Sequence, residues 1–384
     1  MAPETLPLEL EEEILIRVPP LCLVPFRIVC KRWNALFHNE RFVKSHLALP
    51  SPEFIITTES KLYHASVNLD YDPKIKSVNL DYDPKIKVRE TNLDIPGLGS
   101  SERTKYRHCD GLLLCTRDNG VTIWNPWLSQ TRRIESEAQL SSFFYGLGYD
   151  CRAPEKNYKI VCAVYLWRGR QIAIYEFATN AWKYIDACFE ETSMKGIFGQ
   201  PYSNVSLNGN LYWIAYYDIY TWIFHPKFRL SKEMFKNFCI LPCQGRYPDN
   251  HALAVFKGDR FSLLEQCEKT RRIQIWVTAN KVEYNNGDVV WIKFMTVLTL
   301  NCPLLSNSSS PSYFVDGNIY GKSLIICCID EYLQACIFIV RGGLSRKIQL
   351  ESVVGKVCLS LCVSSLIPIP WESSEQENNT NLDV

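Results

Sequence analysis

Two pairs of cysteines, Cys239 with Cys243 and Cys358 with Cys362, stand four positions apart, and paired thiolates at short spacing are what a structural zinc ion requires. Neither pair is a C-x-x-C, and neither has a histidine close in sequence to complete the coordination. The 16 cysteines are spread thinly along the chain, and Cys115, Cys162, Cys327, Cys336 and Cys358 lie inside apolar runs where a reduced thiol packs as a small hydrophobe. Asp70 with Asp72, and Asp81 with Asp83, have the alternating spacing of a calcium loop but lack its further ligands and terminal glutamate. The expectation is no metal and no cofactor.

Acid-base and nucleophilic chemistry is equally short of a pattern. None of the six histidines is spaced as a metal-binding helix or accompanies a G-x-S-x-G turn, and no glycine-rich phosphate cradle is present. Asp110, Asp150, Asp218, His225 and Asp316 fall near the ends of strand-like runs, where the loops of a propeller enzyme or a lectin-like binder could gather them. Their simpler reading is as turn residues that hydrogen-bond nearby backbone. The sequence therefore points to binding rather than catalysis.

The elements that would position any such group change character near residue 50. In the first segment Leu6, Leu10, Ile14 and Val18 recur every four positions beside Leu15, with Glu9, Glu11, Glu12 and Glu13 on the other face, which predicts an amphipathic helix. Pro19-Pro20 stops it, because proline cannot donate the backbone hydrogen bond that a helix interior needs. Leu23, Phe26, Val29, Cys30, Trp33, Leu36 and Phe37 then continue at helical spacing. A segment this short cannot cover so many large apolar groups alone, so either the rest of the chain or a partner must cover them.

The pattern Leu6-Pro7-x-Glu9-Leu10-x-x-Glu13-Ile14-Leu15-x-Arg17-Val18-Pro19, followed by Phe26-Arg27-x-Val29-Cys30-Lys31-x-Trp33-x-x-Leu36, resembles the F-box motif. The resemblance implies a three-helix segment over residues 1–48 that docks on the Skp-type adaptor (plant ASK-like) of a Skp-cullin-F-box ubiquitin ligase, with the cullin reached indirectly. It further implies that Leu6, Pro7, Leu10, Ile14, Leu15, Val18, Leu23, Val29, Cys30 and Trp33 make the adaptor contact or the packing behind it. The sequence departs from the family at Pro20, which lengthens the break, and at Pro25, where a basic or polar residue is usual. Both prolines bear on docking.

Residues 49–100 read as a linker with the first strands. Within them residues 66–76 (SVNLDYDPKIK) are repeated unchanged at 77–87, a tandem duplication of the kind a surface loop tolerates. From 101 to 370 short runs rich in Val, Ile, Tyr, Phe and Trp alternate with turn residues, which predicts an all-β domain. Similar units open at Gly111, Tyr158, Gly209, Asp259 and Gly321, each with a second strand at Ile123, Ile174, Ile223, Ile275 or Ile337. Their spacing is close to the roughly 40 to 50 residues of a propeller blade. With Ile55–Tyr63 and Gln349–Ile369 supplying a further blade, the expected fold is a six-bladed β-propeller, with a large β-sandwich as the alternative.

Cys109-Asp110-Gly111-Leu112-Leu113-Leu114-Cys115, Trp124-Asn125-Pro126 and Gly146-Leu147-Gly148-Tyr149-Asp150 resemble the F-box-associated domain of the large plant F-box family, as do Tyr158-Lys159-Ile160-Val161 and Gly209-Asn210-Leu211-Tyr212-Trp213. The resemblance implies a substrate-recognition domain behind an adaptor-docking module, with an unknown target protein as the second partner. Tyr216, Tyr217, Tyr220 and Trp222 are the densest aromatic cluster and the candidate target contacts, since aromatic anchors dominate such interfaces. The rival reading is an interaction protein with a decayed F-box, motivated by Pro25. A net charge of +1 removes the electrostatic argument for nucleic acid or an anionic membrane, and no apolar run approaches the length that crosses a bilayer. The acidic N-terminus has no secretory pattern, so the expected location is cytoplasm, nucleus or both. Residues 371–384 are polar and read as a disordered tail.

Overall fold

The computed structural model describes residues 6–18, 20–39, 41–42, 53–58, 61–68, 85–92, 105–117, 120–135, 142–150, 156–166, 169–186, 204–216, 223–243, 251–283, 289–298, 302–305, 311–318, 321–341, 343–354, 358–362 and 365–370. The tail, Asp70, Asp72, Asp81 and Asp83 lie outside these residues.

The N-terminal segment forms α1 (Leu8–Ile16), a single turn α2 (Pro20–Leu23), a 3-10 turn (Val24–Ile28) and α3 (Lys31–His38). Among the described residues, two helices of at least two turns therefore stand where three were expected. The prolines explain the difference: Pro20 opens α2, and Pro25 sits in the first turn of the 3-10 segment, so the middle element is divided into short turns. Helix α3 begins where the Cys30 sulfur accepts a hydrogen bond from the Trp33 amide at 3.4 Å. Beyond α3 the Asn39 side chain accepts from the Arg41 and Phe42 amides, at 2.9 and 3.3 Å, and turns the chain.

The body is a six-bladed β-propeller. Blade 1 takes β1 (Glu53–Thr57), β2 (Lys61–Asn68) and β3 (Lys85–Asn92). Blade 2 is β4 (Lys105–Cys109), β5 (Leu112–Arg117), β6 (Gly120–Asn125) and β7 (Gln130–Ile134). Blade 3 is β8 (Ser142–Asp150), β9 (Asn157–Leu166), β10 (Gly169–Glu176) and β11 (Ala181–Asp186). In blade 4, β12 (Asn204–Leu207) and β13 (Asn210–Trp213) are followed by β14 (Ala215–Tyr216), which continues the line of β13, then by β15 (Ile223–Arg229) and β16 (Met234–Ile240). Blade 5 is β17 (His251–Phe256), β18 (Arg260–Gln266), β19 (Ile273–Thr278) and β20 (Trp291–Val297). Blade 6 is β21 (Ser312–Asn318), β22 (Gly321–Ile329), β23 (Gln334–Arg341) and β24 (Leu344–Val354). The last strand, β25 (Cys358–Cys362), pairs antiparallel with β1 and closes the ring inside blade 1. Closure between the two chain ends removes exposed inner sheet edges.

The repeating units seen in the sequence are the second and third strands of the blades, buried on both faces and hence nearly continuous in apolar residues. Side chains from neighbouring blades form the cores: Phe256, Leu264, Ile275, Leu324, Ile326 and Phe338 between blades 5 and 6, and Phe54, Ile56, Tyr63, Ile325 and Ile337 between blades 6 and 1. Cys115, Cys162, Cys327 and Cys336 are buried, reduced thiols within these blades.

Antiparallel pairing places the turns between first and second strands, and between third and fourth strands, on one face of the disc, here called the near face. Near-face turns bond one another directly. Asn208 donates to the Val282 carbonyl at 2.6 Å, the Val282 amide donates to the Asp259 carbonyl at 2.8 Å, and the Tyr149 amide to the Gly209 carbonyl at 3.0 Å. The last contact needs glycine. Gly209 has φ of +75°, and a Cβ there would stand 2.2 Å from the Tyr149 carbonyl oxygen.

The duplicated segment spans the hairpin of blade 1. Ser66, Val67 and Asn68, which begin the first copy, pair with Lys87, Ile86 and Lys85, which end the second. Loss of one copy would leave the same three pairs in register.

Candidate interaction surfaces

The apolar residues of the N-terminal segment divide into two faces. Leu15, Leu23, Phe37 and Phe42 are buried together, with Ile16, Val18, Phe26, Trp33 and Leu36 packed partly against them. Phe26 meets Trp33, and Phe37 meets Phe42, each with ring centroids 5.5 Å apart. Glu11 on α1 accepts from the Trp33 indole N–H at 3.0 Å and from the Arg32 guanidinium, tying α1 to α3. Those two hydrogen bonds, Trp33 first, hold the Glu11 carboxyl below its ordinary pKa.

Another face is open: Leu10 and Ile14 on α1, and Leu6 just before its cap, keep 47%, 56% and 44% of their surface exposed. Spaced by four residues, they form one stripe and line a shallow cleft with Glu13 and Arg17, which pair at 3.1 Å. Ile28 and Val29, in the turn before α3, are exposed at 89% and 60%, and Pro7 and Cys30 are exposed as well. Of the ten residues carried over from the motif, Leu6, Pro7, Leu10, Ile14, Val29 and Cys30 thus lie outward, Leu15 and Leu23 are core, and Val18 and Trp33 are half-buried. Periodicity placed these residues on helices, and only packing separates the two faces.

The helical core is shared with the propeller. Leu366, after the closing strand, is buried among Leu15, Leu23, Phe37 and Phe42, and Leu128 of the β6–β7 turn packs against the same cluster. Leu128 lies in a turn between third and fourth strands, so the helices sit on the near face.

Tyr216 closes β14, paired with Ile223 at the start of β15. It belongs to a connection between second and third strand lines, which puts it toward the far face, away from the helices. Tyr217, Tyr220 and Trp222 lie outside the described residues. Two other far-face residues, Tyr332 and Leu333 in the β22–β23 turn, are strongly exposed and were not singled out from the sequence. Their turn is held by the Asp330 carboxylate, which accepts from the Tyr332 and Gln334 amides at 3.0 and 2.9 Å and from Lys347 at 2.9 Å.

The polar groups singled out as a candidate catalytic set stand in different blades where they are described. Asp110 is in the first turn of blade 2, Asp150 ends β8 in blade 3, His225 is in β15 of blade 4 and Asp316 is in β21 of blade 6, while Asp218 lies outside the described residues. The Asp110 carboxylate accepts from Lys156 at 2.5 Å and from the Tyr158 hydroxyl at 3.1 Å, bonds that brace the near-face turns. Burial pushes the Cys239 and Cys243 thiols up to about 12. Among the described residues no group of three or more His, Cys, Asp or Glu side chains gathers as a metal site would need.

A short helical segment with one open apolar face, seated on a closed propeller, is a two-part architecture. The F-box domain family matches residues 4–45, and the family of the F-box associated beta propeller domain matches residues 53–369. The chain belongs to this family of F-box proteins. It is 42% identical to F-box protein At3g17710 of Arabidopsis thaliana, over 98% of this chain and 100% of that one. It is 41% identical to Protein SUPPRESSOR OF NIM1 1 of the same plant, over 95% and 98% of the two chains. Among solved structures it is similar to AofleA from Arthrobotrys oligospora at 11% identity and a TM-score of 0.39, over 65% of this chain and 71% of that chain.

Proposed function

We propose that this protein is a substrate-recognition subunit of a Skp-cullin-F-box ubiquitin ligase. The observation that carries the reading is the outward stripe of Leu6, Leu10 and Ile14, along and just before a helix that is packed on another face. Covering the exposed half of a Leu or Ile side chain contributes about 1 kcal/mol, so a partner helix laid on this stripe gains affinity without disturbing the core behind it. A Skp-type adaptor, plant ASK-like, is the partner that the F-box implies, and the cullin is reached through it. The propeller holds a target protein, and its far face is free of the helices for that purpose, with Tyr216 and the Tyr332–Leu333 turn among its aromatic and apolar contacts.

The protein itself performs no chemistry in this reading. It brings a target lysine to a ubiquitin-charged enzyme recruited elsewhere on the ligase and raises the effective concentration of the two. A decayed docking site gains no support from Pro25, which is exposed in a first turn, where proline is tolerated.

The test is capture of a purified Skp-type adaptor by the full chain beside a Leu10→Asp/Ile14→Asp variant. Wild type should retain the adaptor, and the variant should lose it by roughly 100-fold or more with an unchanged melting temperature. Equal capture by both chains would remove the stripe from the interface.

A further inference from the structure

The strand that closes the propeller ends at Cys362, and the chain does not stop there. Residues 365–370 (Ser-Leu-Ile-Pro-Ile-Pro) run on without joining a sheet, and Pro368 and Pro370 have no N–H to offer a ladder. Side chains of blade 2 hold them instead. The Asn125 amide N–H groups donate to the Ser365 carbonyl at 3.3 Å and the Ile367 carbonyl at 2.7 Å, while its oxygen accepts from the Trp127 and Leu128 amides at 2.9 and 3.1 Å. All four hydrogen bonds available to an asparagine side chain are made, and the residue is fully buried. Farther along, the Gln130 side-chain oxygen accepts from the Ile369 amide at 3.0 Å, and Arg132 donates to the Pro370 carbonyl at 2.5 Å.

The two apolar anchors of this segment point to different bodies. Ile369 is buried between blades 2 and 3 beside Leu147, Ile160 and Phe177. Leu366, 2% exposed, is buried in the helical core with Leu15, Leu23, Phe37 and Phe42. The same asparagine that grips the segment also shapes the turn carrying Leu128, the propeller's other contact with that core. A helical segment of this size cannot bury enough surface to stand alone, so a leucine delivered from the far end of the chain matters to it.

We propose that residues 365–370, gripped by Asn125, are a positioning strap that fixes the docking helices on the propeller. Because the strap directly follows β25, its leucine couples the helices to the strand that closes the ring. The adaptor-facing stripe is then presented at a fixed place by a completed receptor and is loosely held by an incomplete one. Asn125 and Leu366 are positioning residues: neither belongs to the outward stripe, and both act through the helices that carry it.

Hydrogen exchange of the full-length chain, with no partner present, tests this in Asn125→Ala and Leu366→Ala. Both variants should speed exchange of the α1 and α3 amides by roughly tenfold or more and leave blade 5 unchanged, and Leu366→Met should restore the wild-type rate. Asn125→Ala removes no atom from the helical core and Leu366→Ala leaves the Leu128 turn intact, so acceleration in both variants together is what the strap requires. Unchanged α1 and α3 exchange in either variant, or equal acceleration across blade 5, would overturn the strap and leave Asn125 an ordinary turn residue. The readout contains no adaptor, so a failure here is separate from a failure of the docking reading.

Discussion

In blade 6 the residues from Leu324 to Cys328 and from Ala335 to Val340 are almost wholly buried, shielded by the neighbouring blades, whereas in the docking segment Leu6, Leu10 and Ile14 keep about half their surface in water. Both regions are apolar in sequence, and they differ in how many neighbours the fold supplies. A propeller strand has a blade on either side, so its apolar faces are satisfied by the chain itself. Among the described residues, the helical segment has the propeller on one side and an open face on another. Apolar surface left open on an element whose core is complete marks a place where another molecule belongs, which is why the stripe rather than any cluster of titratable groups carries the functional reading.

That contrast can be broken from the propeller side. Gly209 approaches the Tyr149 backbone too closely for any Cβ, and it turns in the left-handed region, so Gly209→Val should destabilise the protein by about 2 to 4 kcal/mol. A lowered melting temperature, with helices and blades lost in one transition, is the result expected in a thermal melt. A chain in which the helices outlast the blades would show the two regions to be independent.

The smallest effect is expected where the sequence is most conspicuous. Deleting residues 77–87 removes one copy of the repeat but keeps Ser66, Val67 and Asn68 opposite a Lys-Ile-Lys run, so the hairpin re-forms with a shorter loop. Loop-closure entropy then favours the deletion by no more than about 1 kcal/mol, a change to be read from denaturant midpoints. A loss of stability would mean that the second copy makes contacts of its own.

Much of this architecture was legible in the residues. The helical spacing of Leu6, Leu10 and Ile14 located the docking segment, and the recurrence of apolar strands from Gly111 to Gly321 gave the blades, because both signals are local and periodic. The division of the motif into outward and inward residues was not legible. Ile14 and Leu15 are adjacent aliphatic residues that differ only in what packs against them: Ile14 meets solvent and Leu15 is buried in the cluster that includes Leu366. The strap was hidden for the same reason. Gln349–Ile369 reads as a run of strand material, yet pairing stops at Cys362, and the partners of Leu366 lie hundreds of positions earlier. Asn125 likewise reads as a turn residue beside Pro126, and its two bonds to the strap depend on a segment that only ring closure brings near.

The account rests on the open stripe being the adaptor contact, and the most direct measurement is a hydrogen-exchange footprint of the wild-type chain with and without a purified Skp-type adaptor. The prediction is slower exchange confined to α1 and the turn from Ile28 to Cys30, with the far face of the propeller unchanged. Protection of the far face with none in α1 would contradict it, and would place the adaptor where a target protein was expected.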